Sequence, residues 1–125
     1  MLSEHQVYAA IPTDDLDRLR PFYEDVLGFV PREANPAGIY YDAAGGTYFV
    51  LTRSSGKASG SHTQMAFRVS DIETEVRELQ RRGVTFEEYD TPDIKTDHGI
   101  ASDGGTKAAW FKDSEGNIMA VIQTP

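Results

Sequence analysis

Apolar and polar positions recur in the same order in the two halves of the chain. In the first half, the short apolar run YAAI leads through a polar break to Asp15, and in the second half QMAF leads to Asp71. Seven positions separate Tyr8 from Asp15, and seven also separate Gln64 from Asp71. The pattern predicts an internal repeat in which a short strand precedes a helix.

A helix is predicted after each aspartate. Gly28 and Gly83 are placed to end the two helices, since glycine adopts the left-handed conformation that commonly follows a last turn. Ser70 and Glu73 have the spacing of a capping box, and Pro21 predicts a bend inside the first helix. Apolar residues recur at helical spacing: Leu16, Leu19, Phe22, Tyr23, Val26 and Leu27 in the first, and Ile72, Val76 and Leu79 in the second.

Three strand patterns follow each helix, at 29–34, 39–42 and 47–53 and again at 84–89, 107–112 and 117–123. The repeating unit is therefore βαβββ, which predicts an α+β fold. We expect one domain over residues 1–125, with module one at 5–53, a small polar linker at 54–61 and module two at 62–125. Residues 91–106 show no clear element, and a loop of this length is often functional.

Composition narrows the class of function. The formal net charge of -8 argues against nucleic acid as a partner, because phosphates require a basic face, and it favours a cationic ligand. The absence of cysteine excludes disulfides and thiolate metal sites. We expect a cytoplasmic protein without a membrane partner, because the sequence contains neither a spanning apolar run nor the pattern of a signal peptide.

Three strings carry a resemblance to a known family: DLDRLRPFYEDVLGF at 15–29, MAFRVSDIE at 65–73 and WFKDSEGNIMAVIQ at 110–123. Within the βαβββ repeat, they resemble the vicinal oxygen chelate superfamily. That superfamily includes glyoxalase I, extradiol dioxygenases, fosfomycin resistance proteins and bleomycin-binding proteins. The resemblance implies two tandem modules that form a curled, eight-stranded mixed sheet around a cleft, and it implies a homodimer.

The resemblance also implies where a metal would be held. Metal-dependent members place a His or Gln on the first strand of each half and a carboxylate on the last strand. The matching positions here are Tyr8, Gln64, Ala120 and, in the first half, Phe49 or Val50. Because Ala120, Phe49 and Val50 cannot bind a cation, we expect no metal cofactor. The alternative is a divalent metal at Gln64 with relocated ligands.

Strand alternation places one set of side chains on the face that the resemblance assigns to the cleft. These candidate ligand-binding residues are Tyr8, Tyr48, Gln64, Trp110, Ile118, Ala120 and Ile122. They favour a metal-independent binding protein of the sequestration or resistance type, whose small-molecule ligand is cationic and aromatic.

Two alternatives stay open. One is a lyase or isomerase of the glyoxalase or epimerase type, or a dioxygenase, using a relocated metal or an acid–base pair of Tyr8 and His98. The other is a domain without a ligand, in which Tyr8 and Gln64 bond each other or water, Trp110 is core and His98 is solvated. The sequence identifies no catalytic residue.

The two acids of the segment DSEGN, Asp113 and Glu115, attract attention as candidate catalytic groups. Aspartate commonly opens turns by accepting bonds from backbone amides, and Gly-Asn tolerates positive φ. We therefore predict that these acids form a hairpin turn and carry no chemistry.

Overall fold

The structure, a computed structural model, describes residues 1–56 and 58–125. It confirms the α+β class. The chain divides into two compact units, Met1–Ala58 and Ser59–Pro125. The boundary falls inside the segment predicted as a linker, of which Lys57 lies outside the described residues. No helix in the described part of the chain is long and apolar enough to cross a membrane.

The first unit contains a four-stranded mixed sheet in the order β1-β4-β3-β2. Strand β1 runs parallel to β4, and the other neighbours are antiparallel. The first strand is therefore paired in parallel with the last one, and the helix and two strands between them supply the long connection that a parallel pair requires. The strands are Ala9–Thr13 (β1), Pro31–Asn35 (β2), Gly38–Asp42 (β3) and Tyr48–Arg53 (β4).

The first helix changes from α to π geometry directly after Pro21, and the bend expected there stays a prediction. Helix α1 spans Leu16–Pro21, and a π-helical turn follows over Phe22–Val26, closed by the bond from the Leu27 N–H to the Phe22 carbonyl at 3.0 Å. Proline and π turns are recognised causes of bends in helices. Gly28 follows with a φ of 83°, which confirms its predicted role at the end of the helix.

A partly buried polar network connects the end of this helix to the sheet. Tyr41, which is fully buried on β3, donates from its hydroxyl to Glu24 at 2.7 Å, and Arg20 Nε donates to the same carboxylate oxygen at 2.7 Å. Burial alone would raise the pKa of Glu24, but the bonds from Tyr41 and Arg20 outweigh it and hold that pKa below 4.5. Burial and the Glu24 bond raise the pKa of Tyr41, which keeps the phenol a donor.

We expect Glu24 to make stability depend on pH. Because the pKa of Glu24 is lower in the folded state than in the unfolded one, its ionisation stabilises the fold. This stabilisation is fully present at pH values above 4.5, and it is lost as the pH falls through the pKa of the folded state. Glu24→Gln should lower the free energy of unfolding by about 1 kcal/mol at neutral pH. The variant should also lose less stability than the unchanged protein between neutral pH and pH about 3, as measured by urea unfolding. Glu75→Gln, which changes an exposed acid on the second helix, is the matched control, and an equal effect there would contradict the assignment.

The second unit contains a five-stranded mixed sheet in the order β5-β9-β8-β7-β6, again with its first strand parallel to its last. Helix α2, Ile72–Arg81, packs against β8 and β9. Lys107 of β8 forms an ion pair with Glu73 of α2 at 2.7 Å. The sheet face that carries Lys107, and by alternation Phe111, therefore points toward α2. The strands are Thr63–Arg68 (β5), Thr96–Asp97 (β6), Ile100–Asp103 (β7), Thr106–Lys112 (β8) and Ile118–Gln123 (β9).

Two segments of the second unit differ from their predictions. The strand predicted at 84–89 meets the sheet through isolated contacts: a bridge between Phe86 and Phe111, the bond from the Glu87 N–H to the Trp110 carbonyl, and bonds between Tyr89 and Thr96 of β6. The segment 91–106, for which no element was predicted, supplies β6, β7 and the start of β8. The described residues therefore form two sheets, of four and five strands, and the cleft that the resemblance implies stays a prediction.

The helix beginnings confirm the repeat and correct one detail. Asp15 and Asp71 are the N-caps, with nearly equal backbone angles, φ -147° and ψ 93° against φ -142° and ψ 92°. Each carboxylate accepts a bond from the backbone N–H three residues later. The predicted capping box of Ser70 and Glu73 is wrong, because Asp71 takes the cap position and Glu73 pairs with Lys107.

Candidate functional site

Three tyrosines form one surface of the first unit, on the sheet face opposite α1. The rings of Tyr8 and Tyr48 stack with their centroids 4.6 Å apart, and Tyr40 lies 6.2 Å from Tyr8 and 6.4 Å from Tyr48. We call these residues the tyrosine cluster. The face is distinct from the helix-packing side, which carries Phe49 and Tyr41 against Tyr23.

Strand register explains why the three rings meet. Asp42 pairs with Tyr48 and Tyr40 pairs with Val50, so Tyr40 and Tyr48 are diagonal neighbours, within reach for aromatic side chains. Tyr8 directly precedes β1, whose Ala9 pairs with Phe49, and this places Tyr8 level with Tyr48. The structure thus brings together two residues predicted as ligand contacts and adds Tyr40, which the prediction omitted.

Arg32 covers this cluster. Its guanidinium carbon lies 5.6 Å from the centroid of the Tyr40 ring and 5.1 Å from that of Tyr48, within the range of a cation–π interaction. Its Nε donates to Asp42 Oδ1 at 2.8 Å. The pairing of β2 with β3 shifts register between Pro31 and Glu33, so Arg32 is the extra residue of a bulge, a device that re-aims side chains.

The phenols of the cluster influence one another. The charge interaction with Tyr8 raises the pKa of Tyr40, with smaller contributions from burial and from a hydrogen bond with Tyr8. Tyr40 therefore stays protonated at neutral pH and does not supply a phenolate. What the cluster offers is aromatic faces, hydroxyl groups and the partly exposed ring of Tyr8, 44% accessible to solvent.

Trp110 lies on the face of the second sheet that points away from α2. Its neighbour Phe111 is buried on the α2 side against Phe86, so alternation turns Trp110 to the other face. Tyr89 contacts the indole edge to face, with centroids 5.5 Å apart. Trp110 therefore lies on the face away from the helix, and its contact with a ligand stays a prediction.

Small apolar side chains surround Trp110 on this face. Trp110 pairs with Ala120, and Ala120 pairs with Ala66 of β5, so two alanines extend across the sheet from the indole. Ile118 and Ile122 stand on either side of Ala120. The predicted set Trp110, Ile118, Ala120 and Ile122 therefore shares one face, although Ala120 is only 2% exposed.

A pocket of about 440 Å³ lies beside Trp110. Residues 91–95 form one wall, and side chains of β7 and β8, including Ala101, Ala108 and Trp110, form the other. Thr91 holds the wall segment in a turn through bonds to Ile94. The segment 91–106, for which a functional loop was considered, thus forms part of a pocket.

The residues at the metal-ligand positions do not fit a divalent ion. Ala120 offers a buried methyl group, and Phe49 and Val50 are buried apolar side chains. Gln64 is half-buried at a register shift between Thr63 and Met65, and an amide oxygen alone is a weak ligand. Residues 1–56 and 58–125 contain no group of three or more His, Cys, Asp or Glu side chains that could hold a metal.

His98 lies at the turn between β6 and β7 with a φ of 53°. Its Nδ1 is 2.9 Å from Asp97 Oδ1, and the two side chains are 94% and 91% exposed. An imidazole that is so exposed lacks the shielded environment in which acid–base groups are usually tuned. The geometry favours the solvated histidine over the catalytic alternative.

The turn DSEGN has the structural role predicted for its first acid. Asp113 Oδ1 accepts bonds from the backbone N–H groups of Glu115 and Asn117, at 2.9 and 3.0 Å, and Oδ2 accepts from Asn117 Nδ2 at 2.7 Å. Gly116 completes the turn with a φ of 90°. Asp113 is 5% exposed, and its oxygens point into the turn rather than to a ligand.

Comparison with known proteins agrees with this architecture. Residues 5–121 match the Glyoxalase/Bleomycin resistance protein/Dioxygenase superfamily. The chain is 26% identical to the uncharacterized protein YurT of Bacillus subtilis (strain 168), over 94% of this chain and 97% of YurT.

Solved structures share the fold. The antibiotic binding protein TnmS3 from Streptomyces sp. CB03234 is 23% identical, with a TM-score of 0.68 over 97% of this chain and 96% of TnmS3. The oxidase ChaP-H2 is 22% identical, with a TM-score of 0.69 over 97% of this chain and 94% of ChaP-H2. Proteins with this fold thus include both a binding protein, TnmS3, and an enzyme, ChaP-H2.

Proposed function

The chain belongs to the glyoxalase/bleomycin resistance protein/dioxygenase superfamily, and from this premise we propose that it is a binding protein that holds an aromatic small molecule without a metal. The superfamily includes both binding proteins and enzymes, so the residues of this chain must decide between them. The observation that carries the proposal is the replacement of metal ligands by aromatic and small apolar side chains on the sheet faces opposite the helices.

Each unit offers a surface suited to a planar ligand. In the first unit, the stacked pair Tyr8 and Tyr48 presents rings that can extend the stack by one more planar group. In the second unit, Trp110 stands beside Ala120 and a pocket of about 440 Å³. Ligand pockets are typically lined by apolar and aromatic groups with a few polar ones, and Thr91, Lys95 and Ser102 are among the polar residues that line this one.

The similarity to TnmS3, an antibiotic binding protein, supports the choice of a binding role by analogy of fold. A lyase, isomerase or dioxygenase is the alternative, and it would require a metal or a shielded acid–base group. Ala120 and the exposed His98 supply neither. The homodimer, which the resemblance implies, and the cytoplasmic location, which the sequence pattern favours, remain part of the proposal.

Fluorescence of Trp110 tests the proposal, because Trp110 is the only tryptophan. We expect planar aromatic compounds, tested as matched anionic, neutral and cationic derivatives, to quench its emission saturably with dissociation constants in the micromolar range. Trp110→Ala should weaken the binding of the same compounds by about tenfold in calorimetry, since a stacked indole contributes about 1 kcal/mol or more.

The control is His98→Ala, which should leave binding unchanged and which would abolish activity if the acid–base alternative held. Elemental analysis of the purified protein adds an independent readout. A stoichiometric, tightly held metal would overturn the metal-free proposal, and the absence of a response to every compound at concentrations up to about 1 mM would overturn the binding proposal itself.

A further inference from the structure

Arg32 occupies a position on the tyrosine cluster that an external cation would take. Its guanidinium lies 5.1 Å from the Tyr48 centroid and 5.6 Å from the Tyr40 centroid. Aromatic faces attract guanidinium and quaternary ammonium groups through the negative charge at the ring face. The contact within the chain therefore demonstrates that the cluster can hold a cation of this type.

The hold on Arg32 is weak. Its partner Asp42 is reached by one bond at 2.8 Å, and the side chains of Arg32 and Asp42 are 43% and 60% exposed. Exposed ion pairs contribute little because water and salt screen them. Arg32 also stands at a bulge on β2, the edge strand of its sheet, where the side chain can swing toward solvent while the ladder between β3 and β4 stays intact.

Among the described residues, two carboxylates also lie at this surface. Asp42 pairs across the sheet with Tyr48, and Glu33, which pairs with Tyr40 on β3, carries a second carboxylate. The whole chain has a formal net charge of -8. If Arg32 moved away, three phenol rings and two carboxylates would be left, and these groups would attract a cation and repel an anion.

We propose that the tyrosine cluster binds the cationic group of the ligand, a guanidinium or quaternary ammonium attached to an aromatic body, and that Arg32 is an internal competitor for that position. The inference rests on the proposed binding function and names its ligand class. Such cations are weakly hydrated, so they give up little solvation when they move from water onto the rings. Ligand binding then displaces Arg32 and leaves Asp42 available to the ligand cation.

The test compares three probes on one ring system: naphthalene carrying a methylene trimethylammonium, a carboxamide or a carboxylate. Calorimetry is performed on the full chain at an ionic strength of about 0.1 M. We expect Arg32→Gln to bind the ammonium probe about tenfold more tightly than the unchanged protein, because both a like charge and a competing occupant are gone. Asp42→Asn should weaken the same probe several-fold.

Two control variants make the readout specific. Arg32→Lys keeps the positive charge at the same position and should show little or no gain. Arg53→Gln removes an equal charge from β4 of the same sheet, at a residue whose Nε lies 3.5 Å from the Pro36 carbonyl on the other face, and should change the affinity less than twofold. An equal gain in Arg53→Gln would show a general effect of net charge and would overturn the proposal.

A higher affinity for the carboxylate probe than for the ammonium probe would also test the role of Arg32. If the carboxylate probe binds best and Arg32→Gln weakens it, Arg32 is itself a contact for an anionic ligand and the inference is wrong while the binding function stands. If none of the three probes binds either protein although other compounds quench Trp110, the inference again fails alone. Failure of every compound in both experiments overturns the two proposals together.

Discussion

Replacing Gly38 with alanine is expected to lower the free energy of unfolding by about 3 kcal/mol, because β3 and β4 approach closely at this residue. A Cβ atom built on Gly38 would lie 2.5 Å from the Leu51 carbonyl oxygen and 2.9 Å from Val50 Cγ2. The first of these is a backbone atom, which can move only if the ladder between the two strands opens. Urea unfolding of Gly38→Ala and the unchanged protein measures the difference.

The same substitution should also weaken ligand binding to the first unit. Tyr40 follows Gly38 by two residues on β3, and its position against Tyr48 depends on the register that Gly38 helps to hold. Gly56→Ala is the control, since a Cβ there meets only Ser54 Oγ at 3.5 Å, and its stability should lie within about 0.5 kcal/mol of the unchanged protein. Unchanged stability of Gly38→Ala would mean that β3 and β4 can separate at little cost.

Replacing Asp113 with alanine should cost about 3 kcal/mol of stability, because the substitution removes a buried carboxylate that accepts three hydrogen bonds within the turn. Two of these come from Asn117, which is fully buried and would keep its backbone N–H and Nδ2 donors without their acceptors. Thermal and urea unfolding measure the loss. Ligand binding by the folded fraction should keep its affinity, since Asp113 faces the turn.

The matched control is Asp103→Ala. Asp103 is an exposed acid at the end of β7, so its loss should change stability by no more than about 0.5 kcal/mol. A result in which Asp113→Ala folds with normal stability but loses binding or activity would give Asp113 the chemical role that its carboxylate first suggested. The stability of Asp113→Asn should lie between that of Asp113→Ala and that of the unchanged protein, because asparagine keeps one acceptor oxygen and loses the charge.

Local features of the fold were predictable because they depend on residues close together in sequence. Asp15 and Asp71 begin helices by accepting bonds from backbone groups three residues away, and Gly28 and Gly83 follow the helices with φ values of 83° and 99°. The misassigned capping box shows the limit of this reasoning. Glu73 had the spacing to bond the helix start, but Lys107, 34 residues away, provides a stronger partner.

Features that depend on pairing between distant segments were not predictable. Strand β6 has two residues and β7 has four, too few for a periodic pattern, and β7 is stabilised by its ladder with β8. The segment 84–89 has the apolar alternation of a strand but lies against β8 through isolated contacts. Propensity indicates an extended chain, and only the neighbours decide whether it becomes part of a sheet.

The residues of the candidate site also fall into a group that the sequence predicted and a group that it did not. Tyr8, Tyr48 and Trp110 were chosen from alternation and the repeat, which assign side chains to faces of strands, together with the cleft face that the resemblance implies. Tyr40 and Arg32 were missed. Nothing in the polar run around Arg32 distinguishes it from an ordinary solvated edge strand, and its contact with two rings arises from a bulge that only the pairing of β2 with β3 reveals.

The sequence by itself determined the repeat, the α+β class, the positions of the helix caps and the absence of a carboxylate at position 120, because each is carried by the identity and spacing of nearby residues. Only the tertiary structure decided that three tyrosines from three segments of the first unit meet and that Arg32 covers them. The reason is physical: side-chain contacts across a sheet depend on strand register, and register is fixed by the packing of the whole unit.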